Sequence, residues 1–233
     1  SQLTRVGTTT VIGMLGYDQS TKNMRGLLGK TKGFIGDGIS AFALTGATLR
    51  HPVPTLTGDI CDDIAFIDSI IGVGEISISE LGYGYDSLGP GAQYIAETLV
   101  QALLVGRLAG KGGILCLQVP PYFEQCLKPL FAMLDKSHVP IEQMVPSHVN
   151  QTDGYMADAV TWGKRGGWVD VGANYRPDNH YARSTQPAEA VTSLVEAGVP
   201  MNKILISSAG NGAPPKEEKG DAVPTRANYG RVG

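Results

Sequence analysis

This 233-residue sequence has only three cysteines, no long apolar run and no large excess of charge of either sign. Cys61, Cys116 and Cys126 lie far apart, so none has the CxxC spacing of a structural zinc site. An odd number of cysteines without a secretory signal is typical of a reducing compartment, and we therefore expect a cytoplasmic protein. No stretch approaches the roughly 18 apolar residues that a membrane-spanning helix needs.

The charge pattern argues against a nucleic-acid partner. The net charge is -3, and the sequence contains neither a basic patch nor a run of like charges. The first ten residues, SQLTRVGTTT, contain no methionine and do not resemble a signal peptide. We therefore expect the chain to begin inside a larger one.

Common catalytic motifs are missing as well. The sequence contains no HxH, no HExxH, no GxSxG nucleophile elbow and no P-loop. The segment GYGYDSLGPG (82–91) follows a predicted strand, but it lacks the GxGxxG spacing of a dinucleotide-binding turn.

What the sequence does contain is a regular succession of short apolar runs. Rich in Val, Ile and Leu and mostly bounded by Gly or Pro, they predict seven buried strands, at residues 8–15, 38–46, 70–79, 112–119, 141–149, 166–173 and 203–210. Helical spacing of apolar residues separates several of them, at 94–108, 127–134 and 190–195, with weaker patterns at 18–32 and 154–165. The helix around 190–195 is predicted to be capped by Ser184 and Thr185 and to end at Gly198.

Alternation of strand and helix favours a parallel sheet with helices outside it. A (β/α)8 barrel takes about 250 residues, so seven strands in a chain of this length predict an α/β fold of the TIM-barrel type with one strand missing. From the pattern alone, an open doubly wound sheet is the alternative.

Two residues are the best candidates for chemistry at the strand ends, where parallel barrels place their active sites. His148 ends an apolar strand, where an imidazole can bind a metal or move a proton; the alternative is a histidine hydrogen-bonded to nearby backbone. Glu75 interrupts the strand IIGVGEISIS, and a buried carboxylate is costly unless it is paired or metal-bound. The alternative explanation for Glu75 is an ion pair with a nearby Arg or Lys.

The remaining candidates are more typical of surface or structural residues: His51, His138, His180 and Asp170.

Several blocks of the sequence together resemble the isoaspartyl dipeptidases (β-aspartyl peptidases) of the amidohydrolase superfamily. They cover residues 1 to about 215, in order: LTRVGTTTVIGMLGYD, GISAFALTGATLRHPVPTLTGD, IIGVGEISIS, VGRLAGKGGI, PIEQMVPSHVN, GGWVDVGAN and ISSAGNG. The resemblance implies a metal-dependent hydrolase barrel in which two zinc ions activate a water that attacks an isoaspartyl amide. It also implies that the missing strand is the first, which carries the family's HxH.

The resemblance places two metal ligands in this chain, the bridging carboxylate at Glu75 and the sixth-strand histidine at His148. The fifth-strand histidine falls near Val119 and is absent. The family's eighth-strand aspartate, a ligand and the general base, is replaced by Ala209, so no catalytic residue is assigned. Other replaced positions are Gln151 for the substrate-binding arginine, Ala213 for a serine, residues 80–82 for a second arginine, and Thr48 or Leu49 for a tyrosine. The substrate-binding positions that the resemblance implies are Asn150, Gln151, Gly210, Asn211 and Gly212.

These replacements leave three hypotheses. The first is a catalytically degenerate dipeptidase-like barrel, a pseudoenzyme with a structural or assembly role. The second is an active hydrolase of an amide or isoaspartyl peptide, with one zinc ion held by Glu75, His148 and an HxH outside this chain. The third is a module completed by a partner chain that supplies the first strand. By analogy with the family we also expect a homo-oligomer. The barrel is predicted over residues 1–215, followed by a polar loop or arm over 216–233.

Overall fold

Strands and helices alternate along the chain, as its computed structural model describes for residues 7–16, 22–48, 54–78, 92–118, 127–137, 139–175 and 183–208. The strands are β1 Thr10–Gly13, β2 Ser40–Thr45, β3 Ile70–Ser77, β4 Ile114–Gln118, β5 Met144–Ser147, β6 Val169–Gly172 and β7 Ile204–Ser207. The α-helices are α1 Met24–Gly36, α2 Ile60–Phe66, α3 Ala92–Leu108, α4 Lys128–Ser137, α5 Asp153–Lys164 and α6 Pro187–Glu196. Short 3₁₀ helices lie at Ile141–Gln143, Val149–Gln151 and Met201–Lys203.

All strand pairs in the described part of the chain are parallel. The first five strands form one sheet in chain order, from β1 to β5, and β6 pairs with β7. The two groups adjoin where the backbone N–H of His148, directly after β5, donates to Asp170 Oδ2 on β6 at 3.0 Å. The predicted α/β fold with a parallel sheet is therefore confirmed, and each of the seven predicted strands contains an observed one.

The central strands are buried on both faces because helices cover the outside of the sheet. In β3, seven of the eight residues are buried, which explains why its sequence is a nearly continuous apolar run. Leu115 and Leu117 of β4 are fully buried, as are Ile95 and Leu99 of α3, and all four belong to one apolar core. This packing fixes the strand ends from which the candidate site residues project.

Helix ends follow local capping chemistry. Asn23 accepts from Gly26 N at 2.9 Å and starts α1 at Met24, so this helix begins and ends later than the predicted 18–32. Thr152 caps α5. The predicted Ser184–Thr185 cap of α6 is wrong: the cap residue is Gln186, without a side-chain hydrogen bond, and Pro187 begins the helix. Proline suits this position because its missing N–H would have no partner there.

None of the described helices is both long and apolar enough to cross a membrane.

Candidate functional site

Glu75 lies near the carboxyl end of β3 and is only 6% exposed. Burial, followed by the charges of Glu75 and Asp170, raises the pKa of the Cys116 thiol well above its usual range. Glu75 on β3 and Asp170 on β6 therefore both lie close enough to Cys116 on β4 to affect its thiol. Among the described residues, no lysine or arginine lies within ion-pair distance of Glu75, so the pairing weighed from the sequence is not found there.

His148 lies directly after β5 in a left-handed backbone conformation, with φ 58° and ψ 50°. Its Nε2 is 3.9 Å from Asp170 Oδ2, and its ring packs 4.9 Å from the ring of Tyr175, centroid to centroid. Its Nδ1 is buried and has no hydrogen-bond partner within the described part of the chain. Asp170 and Tyr175 therefore hold the imidazole ring in place, and Nδ1 is the ring nitrogen that is left without a hydrogen bond in the described residues.

Asp170 on β6 joins three consecutive strand ends. Its Oδ2 accepts from His148 N and, at 2.8 Å, from Ser207 Oγ on β7. Burial raises the pKa of this carboxyl, while His148 and the hydrogen bond from Ser207 act in the opposite direction. The sequence suggested only a structural role for Asp170, because its contact with His148 spans 22 positions along the chain.

Because Gly172 has no side chain, the rings of His148 and Tyr175 can pack directly against its backbone. A Cβ at this position would lie 2.5 Å from Tyr175 Cδ2 and 2.9 Å from His148 Cδ2. Any larger residue at the end of β6 would therefore displace the ring of His148.

Asn150 is fully buried and holds the segment after β6 in place. Its Nδ2 donates to the carbonyls of Gly172, Tyr175 and Thr185, and its Oδ1 accepts from Gly172 N at 2.8 Å. This candidate substrate-binding residue thus uses both atoms of its amide within the protein. Its neighbour Gln151 is 4% exposed and lies in the same 3₁₀ helix.

Two more buried polar atoms lie at the strand ends without a hydrogen-bond partner in the described ranges, Thr48 Oγ1 and Gln118 Oε1. Backbone bonds put them in one row: Ser77 N donates to Thr48 O, and Ile78 N donates to Gln118 O. Gln118 pairs with Ser77 on one side and with Ser147, the residue before His148, on the other. The carboxyl ends of the strands therefore carry the neutral polar side chains of Thr48 and Gln118 in addition to the buried acids Glu75 and Asp170.

A third buried acid, Asp63 of α2, organises the loop after β2, and no sequence pattern pointed to it. It accepts from Thr45 Oγ1 at 2.5 Å, Leu56 N at 2.9 Å, and Thr57 N and Oγ1 at 2.9 and 2.8 Å. Thr57 belongs to the segment TLTGD (55–59), one of the blocks that carry the family resemblance. The acid thus positions this loop at the same edge of the sheet as the candidate site.

The described residues do not form a complete metal site. No group of three or more His, Cys, Asp or Glu in the ranges given above is arranged to hold a metal ion. Of the other predicted site residues, Val119, Ala209, Gly210, Asn211, Gly212 and Ala213 lie outside the described residues, as do His51, His138 and His180.

Solved structures of known proteins resemble this fold. A β-aspartyl dipeptidase from Fervidobacterium islandicum, in complex with a β-Asp-Leu dipeptide, superposes with a TM-score of 0.78 at 32% sequence identity. The match covers 92% of this chain and 54% of that one, so the chain spans about half the length of that enzyme. No family model matches the chain.

Two less similar structures support the fold alone. The phosphotriesterase homology protein from Escherichia coli has a TM-score of 0.62 at 19% identity, over 88% of this chain and 69% of that one. An organophosphorus hydrolase from Deinococcus radiodurans has a TM-score of 0.55 at 14% identity, over 97% and 68%. The match to the β-aspartyl dipeptidase at 32% identity, together with the sequence blocks, shows that the chain belongs to the isoaspartyl (β-aspartyl) dipeptidase family of the amidohydrolase superfamily.

Proposed function

We propose that this chain is an isoaspartyl-dipeptidase-like barrel whose metal site is broken and which no longer catalyses hydrolysis. The observation that carries the proposal is that the set of metal ligands is incomplete. Of the ligands that the family resemblance implies, only Glu75 and His148 occur in the described ranges, and no third His, Cys, Asp or Glu completes a cluster with them. The expected fifth-strand histidine falls where the sequence reads Gln118-Val119.

Two replaced residues would remove different parts of the reaction. Ala209, at the position of the family's general base, can neither bind a metal nor accept a proton. Groups of that kind each supply about 10²–10⁴ in rate. Gln151, at the position of the substrate-binding arginine, offers no positive charge to a carboxylate. The dipeptide bound by the Fervidobacterium enzyme would therefore lose both its anchor and the group that activates water.

The described residues do not fit a zinc ion by themselves, because a catalytic zinc takes three protein ligands and a water. A mononuclear zinc hydrolase is nevertheless the second candidate function. It is favoured by the buried Nδ1 of His148, which has no hydrogen-bond partner among the described residues, and by the buried carboxylate of Glu75. The third ligand would have to come from residues that the structure does not describe or from a segment outside this chain.

The architecture that fits this proposal is a (β/α)8 barrel without its first strand, spanning residues 1–215 and followed by an arm over 216–233. The hydrogen bond from His148 N to Asp170 joins the groups β1–β5 and β6–β7, so β1 and β7 lie at the ends of the series, and a single parallel strand between them would close the barrel. We propose that either a segment preceding this one or a partner chain supplies it. The cytoplasm remains the expected location.

The first test is the metal content of the purified chain by elemental mass spectrometry, with cleavage of isoaspartyl-leucine assayed on the same sample. We expect no stoichiometric zinc and no cleavage. Zinc near one per chain that is lost in both His148→Ala and Glu75→Gln, but kept in the exposed control Glu97→Gln, would establish the second candidate instead. Cleavage that is lost together with the metal would overturn the degenerate-enzyme proposal entirely.

A further inference from the structure

An apolar stripe runs along the outer face of α3, away from the core. Val100, Leu104 and Leu108 are 40%, 56% and 87% exposed. Residues four apart lie on the same face of an α-helix, so these three form one row about 12 Å long. The opposite face of α3 is buried through Ile95, Leu99 and Ala102. The helix therefore carries apolar residues on both sides, although only one side meets the core.

Another exposed apolar residue lies at the end of the adjacent helix α2. Lys111, in the turn after α3, donates through Nζ to the backbone carbonyls of Ile64 and Ile67 at the end of α2. These bonds bring the end of α2 next to the end of α3. Phe66, the last residue of α2, comes between Ile64 and Ile67 in the sequence, and its side chain is 77% exposed. Single exposed apolar residues are ordinary, but a helical row of them with an exposed phenylalanine at the end of the adjacent helix is typical of an interaction surface.

Two opposite charges flank the stripe. Glu97 lies one turn before Val100 and Arg107 one turn after Leu104, and both are exposed on the outer face of α3. Glu97 accepts a hydrogen bond from Gln93 Nε2 at 2.8 Å, and no described ion pair includes Arg107. The face is therefore acidic toward its beginning and basic toward its end.

We propose that this face binds the same face of a second copy of the chain, with the two α3 helices antiparallel. A two-fold axis near residue 102 would set Glu97 of each copy against Arg107 of the other and Val100 against Leu104. In a parallel pair, Glu97 would instead face Glu97 and Arg107 would face Arg107, and these like charges would repel. Closed dimers with a two-fold axis are the commonest oligomers, and their interfaces must be complementary to themselves in this way.

This surface does not depend on the candidate site, so it can exist whether or not the chain binds a metal. One helix face and one phenylalanine make a small contact, and stable interfaces bury about 800 Å² per partner. We therefore expect a reversible dimer with a dissociation constant on the order of micromolar.

Sedimentation velocity of the purified chain over a hundredfold concentration range tests the proposal. The wild-type chain should shift from monomer to dimer, and Leu104→Glu should remain monomeric because it places two carboxylates beside the axis. Met201→Glu is the matched control, since Met201 is 69% exposed but lies outside α3. It should dimerise like the wild type. Circular dichroism of each variant shows that its fold is retained.

Charge exchange tests the antiparallel arrangement. Glu97→Lys and Arg107→Glu should each weaken dimerisation, whereas the chain that carries both should recover it, because the two inter-copy pairs then form with exchanged signs. A chain that is monomeric throughout overturns the proposal. So does a dimer that tolerates Leu104→Glu, and failure of the double variant to recover overturns the antiparallel pairing.

Discussion

At the residue scale, the candidate site is a set of buried acids with few compensating positive charges. Burial, and then the charges of Glu75 on β3 and Asp170 on β6, raise the pKa of the Cys116 thiol on β4. Among the described ion pairs, only that of His148 with Asp170 involves either acid. In a metal enzyme of this superfamily the ions would balance such charges. In this chain, hydrogen bonds from Ser207 Oγ and from the backbone N–H of His148 stabilise the carboxyl of Asp170. The described residues therefore contain buried acids at the strand ends but no group of three side chains that could hold a metal ion.

One prediction concerns Cys116, whose raised pKa makes it a reporter of the charge on Glu75. The thiolate is the reactive form, so alkylation of Cys116 by iodoacetamide at pH 8 should be slow. Glu75→Gln removes a negative neighbour, lowers the thiol pKa and should accelerate alkylation several-fold. Exchange of the exposed Glu97 for Gln should leave the rate unchanged. Peptide mass spectrometry measures the rate at this cysteine alone, and equal rates in the wild type and Glu75→Gln would show that the two groups do not interact.

At the element scale, the least predictable part of the molecule is α2 and the loop before it. This helix has seven residues, two of them acidic, so its apolar spacing is too short to indicate a helix. Asp63 would be read as a solvent-facing acid, yet it is fully buried and binds the loop after β2. The helix depends on this tertiary network and on the cap by Asp59, whose Oδ1 accepts from Cys61 N at 2.6 Å.

Asp63→Asn should therefore destabilise the fold much more than the same change next to it. The amide nitrogen would face the N–H groups of Leu56 and Thr57, leaving buried donors without an acceptor, at a cost of about 2–3 kcal/mol. Asp62 is exposed on the same helix, and Asp62→Asn should cost less than about 1 kcal/mol. Urea unfolding followed by circular dichroism measures both values. Similar losses in the two variants would mean that the Asp63 network contributes little.

The strands were predictable for a reason that does not extend to the site. The buried strands are short runs of apolar residues, so the local sequence alone indicates them, as in β3 and β4. The positions of His148 and Glu75 at strand ends followed from the strands themselves. The contact between His148 and Asp170, the four hydrogen bonds of Asn150 and the inward Asp63 all join distant segments. No local pattern encodes such pairs, so only the folded structure identifies them.

At the scale of the whole molecule, the two groups of described strands meet where His148 N donates to Asp170, which leaves β1 and β7 at the outer ends of the series. β1 pairs only with β2 and β7 only with β6 among the described strands. Both edges expose large apolar side chains, Ile12 at 47% and Ile206 at 64%. Exposed edges of this kind invite pairing with another strand. They are also separate from the outer face of α3, so barrel closure and dimerisation through α3 are distinct events.

Hydrogen exchange followed by mass spectrometry should distinguish open edges from closed ones. Amides of β1 and β7 should exchange at least about tenfold faster than those of β3 and β4, because edge strands open locally at lower free energy than central ones. The comparison is made at concentrations below and above dimerisation, with Leu104→Glu as the monomeric control. If dimerisation occurs through α3, protection of β1 and β7 will not change with concentration. Edge protection that rises with concentration would instead place a second copy on the open sheet, and edges as protected as β3 in the monomer would mean that the barrel is already closed.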